Sequence, residues 1–99
     1  MTVLLPMEHV IPVSVLSPAE AYSRLMSFLA KLPSSCRPSY PESLEQKEEM
    51  ACQLPALYDQ LMVYSRTSAA YEYYSVCCQI NALNAVLLDY EVKSGQVRL

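Results

Sequence analysis

The sequence contains a single glycine, Gly95, and this scarcity limits the folds open to the chain. Glycine supplies the positive φ angles that tight hairpin turns, β-bulges and phosphate-binding loops require. A sheet protein and a nucleotide-binding loop are therefore both disfavoured, and a mostly helical chain is expected. Long apolar runs are also missing: none approaches the ~18 residues of a membrane-spanning helix, so we predict no membrane span.

Charged residues are the second scarcity, at 17% of the 99 residues, against roughly 25% in an average domain. A small domain has much surface relative to its core and needs charge to remain soluble. We therefore expect another protein to cover part of this surface, with a tyrosine-rich monomer as the alternative. The net charge is −3 and the basic residues are dispersed. Binding to nucleic acid is not expected, because phosphate backbones select clustered Lys and Arg.

Residues that carry chemistry are few. His9 is the one histidine, and the sequence has no zinc-type Cys and His spacing, glycine-rich loop or serine-hydrolase motif. We predict no catalytic residue, no cofactor and no metal, and therefore a protein that is not an enzyme. The cysteines at positions 36, 52, 77 and 78 have no convincing disulfide spacing. They are expected to be reduced and buried, in a cytoplasmic or nuclear protein.

Residues 1–16 are apolar and rich in β-branched side chains, and their two prolines exclude a helix interior. The segment is predicted to be an extended arm. No other stretch of the chain has the composition of a strand, so the arm has no internal sheet to join. It either drapes over the chain's own helices or adds to a partner through Val10, Ile11 and Val13.

Residues 17–99 are predicted to form a helical domain with helices at about 18–32, 43–66 and 68–93. Ser17 and Pro18 are typical of a helix start, and Pro33 of a helix end. Pro55 is expected to kink the second helix or to divide it in two. The predicted fold class is all-α, either a small three-helix unit or a kinked helical hairpin with a shorter first helix.

Three helix boundaries depend on local signals. The second helix can be capped by Ser39 or by Ser43, each followed at the capping-box spacing by Glu or Gln. A turn is favoured near residues 66–68, with Thr67 or Ser68 as the cap, because one straight helix would bury the polar residues that follow. A single bent helix is the alternative. Gly95 is expected to close the last helix in a left-handed conformation.

The last helix has an apolar seam whose members recur every three or four positions and include Tyr73, Val76, Ile80, Leu83 and Leu87. Asp89 falls among polar residues on the opposite side. The seam explains the ring at position 73, but it does not explain the neighbouring tyrosines at positions 71 and 74. Tyrosine is enriched where proteins meet. An interface at the start of this helix is therefore predicted.

We predict a small non-enzymatic subunit or adaptor that docks into a larger protein assembly through its last helix and its arm. A hetero-complex is favoured, and a homo-oligomeric helical bundle is the alternative. Asn81 and Asn84 lie between apolar strips of the helix, where buried amides fix register or partner choice and exposed ones form a rim. The predicted partner-binding residues are Tyr71, Tyr74, Cys77, Asn81, Asn84, Leu88, Val10, Ile11 and Val13.

Overall fold

Four α-helices make up most of the computed structural model, which describes residues 10–67 and 69–99. No strand occurs within those two ranges, so the all-α prediction is confirmed. In chain order the helices are α1 (Pro18–Lys31), α2 (Leu44–Ala51), α3 (Leu54–Thr67) and α4 (Ala70–Lys93), and a 3-10 turn (Ser34–Cys36) follows α1.

Local sequence signals set both ends of α1. The Ser17 hydroxyl accepts a hydrogen bond from the Glu20 N–H at 3.3 Å. Pro18 follows as the first helical residue, where the missing N–H of proline costs nothing. At the other end Leu32 is extended, with φ −83° and ψ 133°, because the residue before a proline is disfavoured in the helical region.

Pro55 marks a break between α2 and α3, which together form the predicted kinked unit. α2 ends at Ala51 and α3 begins at Leu54, so the proline lies in the first turn of α3, where it is tolerated. The cap of α2 is Ser43, the second of the two candidates, and its hydroxyl accepts from the Gln46 N–H at 3.2 Å.

A turn rather than a continuous helix joins α3 to α4, but the predicted cap is wrong. The N-cap residue of α4 is Ala69, with φ −80° and ψ 76°, and no side chain caps it. Thr67 is the last residue of α3, and its hydroxyl donates to the Tyr64 carbonyl at 3.3 Å. Ser68 lies outside the described residues. The first N–H groups of α4 therefore receive no hydrogen bond from an N-cap side chain.

α4 is the centre of the molecule, and the other helices pack around it. Residues 80–87 are all buried, which requires neighbours on every side of the helix. α1, α2 and α3 each contact α4. The predicted seam is buried from Tyr73 to Leu87. Along residues 80–87 the chain therefore covers its own central helix.

Residues 10–16 form turns against the helices rather than an extended strand. The Pro12 carbonyl accepts a hydrogen bond from the Val15 N–H at 3.0 Å, and Val10 is buried in the main apolar cluster. No strand lies beside this segment in the described part of the chain, so its backbone groups bond within local turns or, for the Ile11 N–H, to a side chain of α4. The expectation of an extended arm is corrected for these residues, which drape over the chain's own helices. Residues 1–9 lie outside the described residues.

Gly95 closes α4 as predicted. Its φ angle is +81°, in the left-handed region. The Gln96 N–H donates to the Glu91 carbonyl at 2.8 Å, and the Gly95 N–H donates to the Val92 carbonyl at 3.2 Å. These two bonds are the Schellman arrangement, which satisfies carbonyl groups at the end of a helix.

Candidate functional site

The start of α4 forms one wall of a shallow, mainly apolar groove, which we call the tyrosine groove. The segment that leaves α1 forms the opposite wall, and the groove has a volume of about 460 Å³. In the part of the chain that the structure describes, no Asp, Glu, Lys or Arg side chain lines it. Its lining residues are Leu32, Cys36, Tyr71, Tyr74, Ser75, Cys78 and Gln79.

Two tyrosines of this groove are at the surface, whereas the tyrosine between them in the helix is buried. Tyr71 is 83% exposed and Tyr74 is 41% exposed, but Tyr73 is fully buried. The rings of Tyr73 and Tyr74 meet edge-on, with centroids 5.3 Å apart, so the core restrains the position of the Tyr74 ring. The chain's own packing therefore accounts for the burial of Tyr73, whereas parts of the Tyr71 and Tyr74 side chains remain at the surface.

A second depression continues the tyrosine groove along α4. It has a volume of about 370 Å³ and shares Cys36 and Gln79 with the first. α4 contributes Ala82 and Leu83 to its lining. The two depressions therefore follow α4 from Tyr71 to Leu83, a distance of about 18 Å at the helical rise per residue. A partner helix of about three turns, at ~5.4 Å per turn, has the matching length.

Four of the other residues predicted to bind a partner are used within the chain. Val10 and Cys77 belong to the main buried cluster. The Asn81 side-chain oxygen accepts a hydrogen bond from the Ile11 N–H at 2.9 Å, so this buried amide fixes the N-terminal turns to α4. The structure uses these four residues in its own packing rather than in an open surface.

Asn84, Leu88 and Val13 line a different cavity, which lies against the C-terminal half of α4. We call it the Asn84 pocket, and its volume is about 320 Å³. Asn84 is only 9% exposed, and its Nδ2 has no hydrogen-bond partner among the described residues. The predicted contact residues are therefore divided among three places: the tyrosine groove, the core and the Asn84 pocket.

A polar network that the sequence analysis missed connects α1 to the end of α4. Asp89 is buried, although its spacing placed it on the polar side of the helix. Its carboxylate accepts from the Tyr22 hydroxyl at 2.8 Å and pairs with the Lys93 Nζ at 3.0 Å. The four-residue spacing of Asp89 and Lys93 was a visible signal of an ion pair. The contact with Tyr22, 67 positions away, required knowledge of how α1 packs.

The contacts of this network shift the pKa values of all three groups. Burial raises the pKa of the Asp89 carboxyl, but hydrogen bonds from Lys93 and Tyr22 outweigh it and hold that pKa below its ordinary value of 3.8. The hydrogen bond to Asp89 raises the pKa of the Tyr22 hydroxyl above 10.0 and the pKa of the Lys93 ammonium above 10.5. These shifts favour the charged forms of Asp89 and Lys93 near neutral pH, and the network joins α1 to the end of α4.

The four cysteines are all free, and their predicted burial is wrong for three of them. Cys77 is buried, whereas Cys36, Cys52 and Cys78 are exposed. Neighbouring residues on a helix point about 100° apart, so Cys77 faces the core while Cys78 faces the tyrosine groove. Burial raises the pKa of the Cys77 thiol and so favours its neutral form.

Within residues 10–67 and 69–99, no helix is long and apolar enough to cross a membrane. The same residues contain no group of three or more His, Cys, Asp and Glu side chains placed to hold a metal ion. No protein-family model, curated protein or solved structure matches the chain. Its function is therefore argued from its own surfaces.

Proposed function

We propose that the protein is a small non-enzymatic helical subunit or adaptor that docks into a larger protein assembly through the tyrosine groove. Tyr71 and Tyr74 are exposed on a helix whose apolar seam is buried, and their exposure supports this function. Tyrosine side chains bury a large area on binding and lose little conformational entropy, because they have only two rotatable bonds. The adjoining groove offers a partner side chain a place to insert, as in hot-spot pairs at protein interfaces.

Charge favours a different protein over a second copy of this chain as the partner. The net charge of −3 makes two copies repel each other at long range. On α2, Glu45, Glu48 and Glu49 are exposed and form no ion pair within the described residues. A partner with basic residues complements this acidic surface. We therefore propose a hetero-complex, with the homo-oligomeric bundle as the competing function.

Free thiols at three exposed positions favour a compartment that keeps cysteine reduced. Disulfides form readily in oxidising compartments and are rare in the cytosol and the nucleus. We propose a cytoplasmic or nuclear location on this basis. The proposal involves no catalytic residue, metal or cofactor.

Affinity capture by the full chain, followed by mass spectrometry, tests the docking surface. The double substitution Tyr71→Ser/Tyr74→Ser should remove the specific partner, because truncating a residue at the centre of an interface costs ~2 kcal/mol or more. Val15→Ser is the matched control, since Val15 is 81% exposed and lies outside both depressions. Helical content by circular dichroism should be unchanged in both variants.

Light scattering on the purified chain separates the two candidate functions. A folded monomer supports the hetero-complex. A discrete dimer that the double substitution dissociates supports the homo-oligomer instead. Equal capture of the same partner by the wild type and the double variant would show that the tyrosine groove is not the docking surface.

A further inference from the structure

We propose that the Asn84 pocket binds a small, neutral and mainly apolar molecule that carries a carbonyl oxygen. The pocket lies against the C-terminal half of α4 and shares no lining residue with the tyrosine groove. This inference therefore does not depend on the proposed docking function.

The pocket has the size and composition of a small-molecule site. Its volume of about 320 Å³ lies at the lower end of the roughly 300–1,000 Å³ found for ligand pockets. Its walls come from the N-terminal turns, all four helices and the C-terminal segment, so the cavity exists only in the folded chain. The apolar side chains that define it include Leu16, Ala21, Ala51, Leu87 and Leu88.

Asn84 supplies the polar group that points to the chemistry of the ligand. Its side chain lines the pocket and is more than nine-tenths buried, yet its Nδ2 has no partner among the described residues. Buried amides are nearly always hydrogen-bonded, because the loss of their hydration is otherwise not offset. Asn81, one turn earlier, obeys this rule through the Ile11 N–H. A carbonyl oxygen in the pocket is the acceptor that Asn84 lacks.

The charges at the pocket select a neutral ligand over a carboxylate. Among the described residues, Glu91 is the one ionisable residue of the lining, and its carboxylate pairs with the Lys47 Nζ at 3.2 Å. Lys47 does not line the pocket, so an anionic ligand meets a carboxylate and finds no cation there. Like charges at short range repel. A ketone, an ester or an amide satisfies Asn84 without that repulsion.

Asparagine-selective ¹⁵N labelling of the full chain provides a direct test. Asn81 and Asn84 are the only asparagines in the sequence, so the spectrum contains two pairs of side-chain amide signals, one pair for each residue. Titration with 2-heptanone should shift the Asn84 signals saturably and leave the Asn81 signals in place. The variant Asn84→Ala assigns the signals, because one pair disappears.

Substitutions test whether the ligand that causes this shift occupies the Asn84 pocket and forms a hydrogen bond with the Asn84 amide. Ala51→Phe fills the pocket and should weaken the binding of 2-heptanone at least tenfold. Ala56→Phe is the matched control on α3, outside this pocket, and should bind the ketone like the wild type. Asn84→Ala should weaken the binding of 2-heptanone about fivefold, which corresponds to the loss of one neutral hydrogen bond. The binding of the hydrocarbon 2-methyl-1-heptene should be unaffected. Heptanoate should bind less tightly than the ketone.

Several results would overturn the proposal. They are the absence of any saturable shift, equal shifts of the signals of the two asparagines, and an equal loss of affinity for the ketone and the hydrocarbon in Asn84→Ala. Unchanged ketone binding by a folded Ala51→Phe variant would also place the ligand elsewhere. If Ala51→Phe does not fold, Leu88→Phe takes its place, because Leu88 is half-buried in the same lining.

Discussion

Asp89 is a buried carboxylate that two partners from different parts of the chain keep ionised. The Lys93 side chain is 68% exposed, and ion pairs of that kind contribute little to stability because water screens them. The Tyr22 hydroxyl, by contrast, donates to the carboxylate in a partly buried setting, and hydrogen bonds to charged groups contribute about 1.5–3 kcal/mol. Tyr22 is therefore the more important partner, and it connects α1 to α4.

The substitution Asp89→Asn should lower stability and reduce its dependence on acid pH. The pKa of Asp89 is lower in the folded chain than its ordinary value of 3.8. Its contribution is therefore present above pH 3.8 and is lost as the pH falls through the folded pKa. We expect the variant to lose about 1–2 kcal/mol in unfolding free energy near neutral pH and to lose less than the wild type on acidification.

Urea denaturation at neutral pH and at about pH 3 measures both effects, since the lower pH lies below the ordinary carboxyl pKa. Asp59→Asn is the control, because Asp59 is exposed and forms no ion pair within the described residues. It should leave the unfolding free energy unchanged at either pH. The same acid dependence in Asp89→Asn and the wild type would show that Asp89 is not stabilised as a carboxylate.

At the scale of the helix, the start of α4 lacks the N-cap side-chain hydrogen bond that α1 and α2 have. Ala69 occupies the N-cap position without a side-chain hydrogen bond, whereas Ser17 and Ser43 cap α1 and α2. Ala69→Ser should raise the unfolding free energy by about 0.5–1 kcal/mol, because a hydroxyl at the N-cap accepts from one of the first N–H groups.

Urea denaturation of Ala69→Ser and Ala70→Ser tests this expectation. Ala70 is the first residue inside the helix, where serine gains no cap and has a weaker helical propensity than alanine. Only Ala69→Ser should therefore be more stable than the wild type. Equal effects of the two substitutions would mean that the cap position has been misassigned.

Helix ends could be predicted from the sequence wherever the decisive contact is local. Ser17 reaches an N–H three residues ahead, and Gly95 supplies the φ angle that closes α4. The cap of α4 could not be predicted this way, because the turn between α3 and α4 depends on how the two helices pack. The N-terminal segment presented the same difficulty: its anchor, Asn81, is 70 residues from Ile11.

The candidate site was predictable in part for a similar reason. Helical periodicity places Tyr71 and Tyr74 off the apolar seam, and both are exposed in the structure. Periodicity does not show which element covers the other faces of a helix. Asn84 lies 13 residues beyond Tyr71, about 20 Å along the axis, and meets α1 and α2 rather than the tyrosine groove. The pattern therefore assigns residues of one helix to a single predicted interface, although they have different neighbours in the fold.

At the scale of the whole molecule, the low charged fraction has two explanations. One is the packing of the core, and the other is the set of apolar side chains at the surface. The central helix is buried on all sides over residues 80–87, and apolar residues of the three other helices pack against it. That packing accounts for part of the apolar composition. Met62, Val63, Tyr71 and Tyr74 remain exposed, and all four lie near the turn that joins α3 to α4. Val15, Tyr40, Leu44 and Leu99 are exposed elsewhere on the elongated domain of 48 × 24 × 24 Å, so the exposed apolar side chains are divided between this junction and other parts of the surface.

Because the chain covers residues 80–87 of α4 by itself, the isolated protein should fold as a monomer. Its thermal midpoint should then be the same at protein concentrations about a hundredfold apart, whereas the midpoint of an obligate oligomer rises with concentration. A midpoint that does rise would show that a second copy completes the core and would favour the homo-oligomer.

The variant Ile80→Asp tests the same claim from inside the fold. Ile80 is fully buried on the seam, and an unpaired charge there costs several kcal/mol, a large share of the ~5–15 kcal/mol that stabilises a domain. We expect loss of helicity by circular dichroism and of the cooperative melt. Tyr71→Asp is the matched control, because its charge stays in water, and it should melt like the wild type. If Ile80→Asp also retained the wild-type midpoint, α4 could not be the centre of the core.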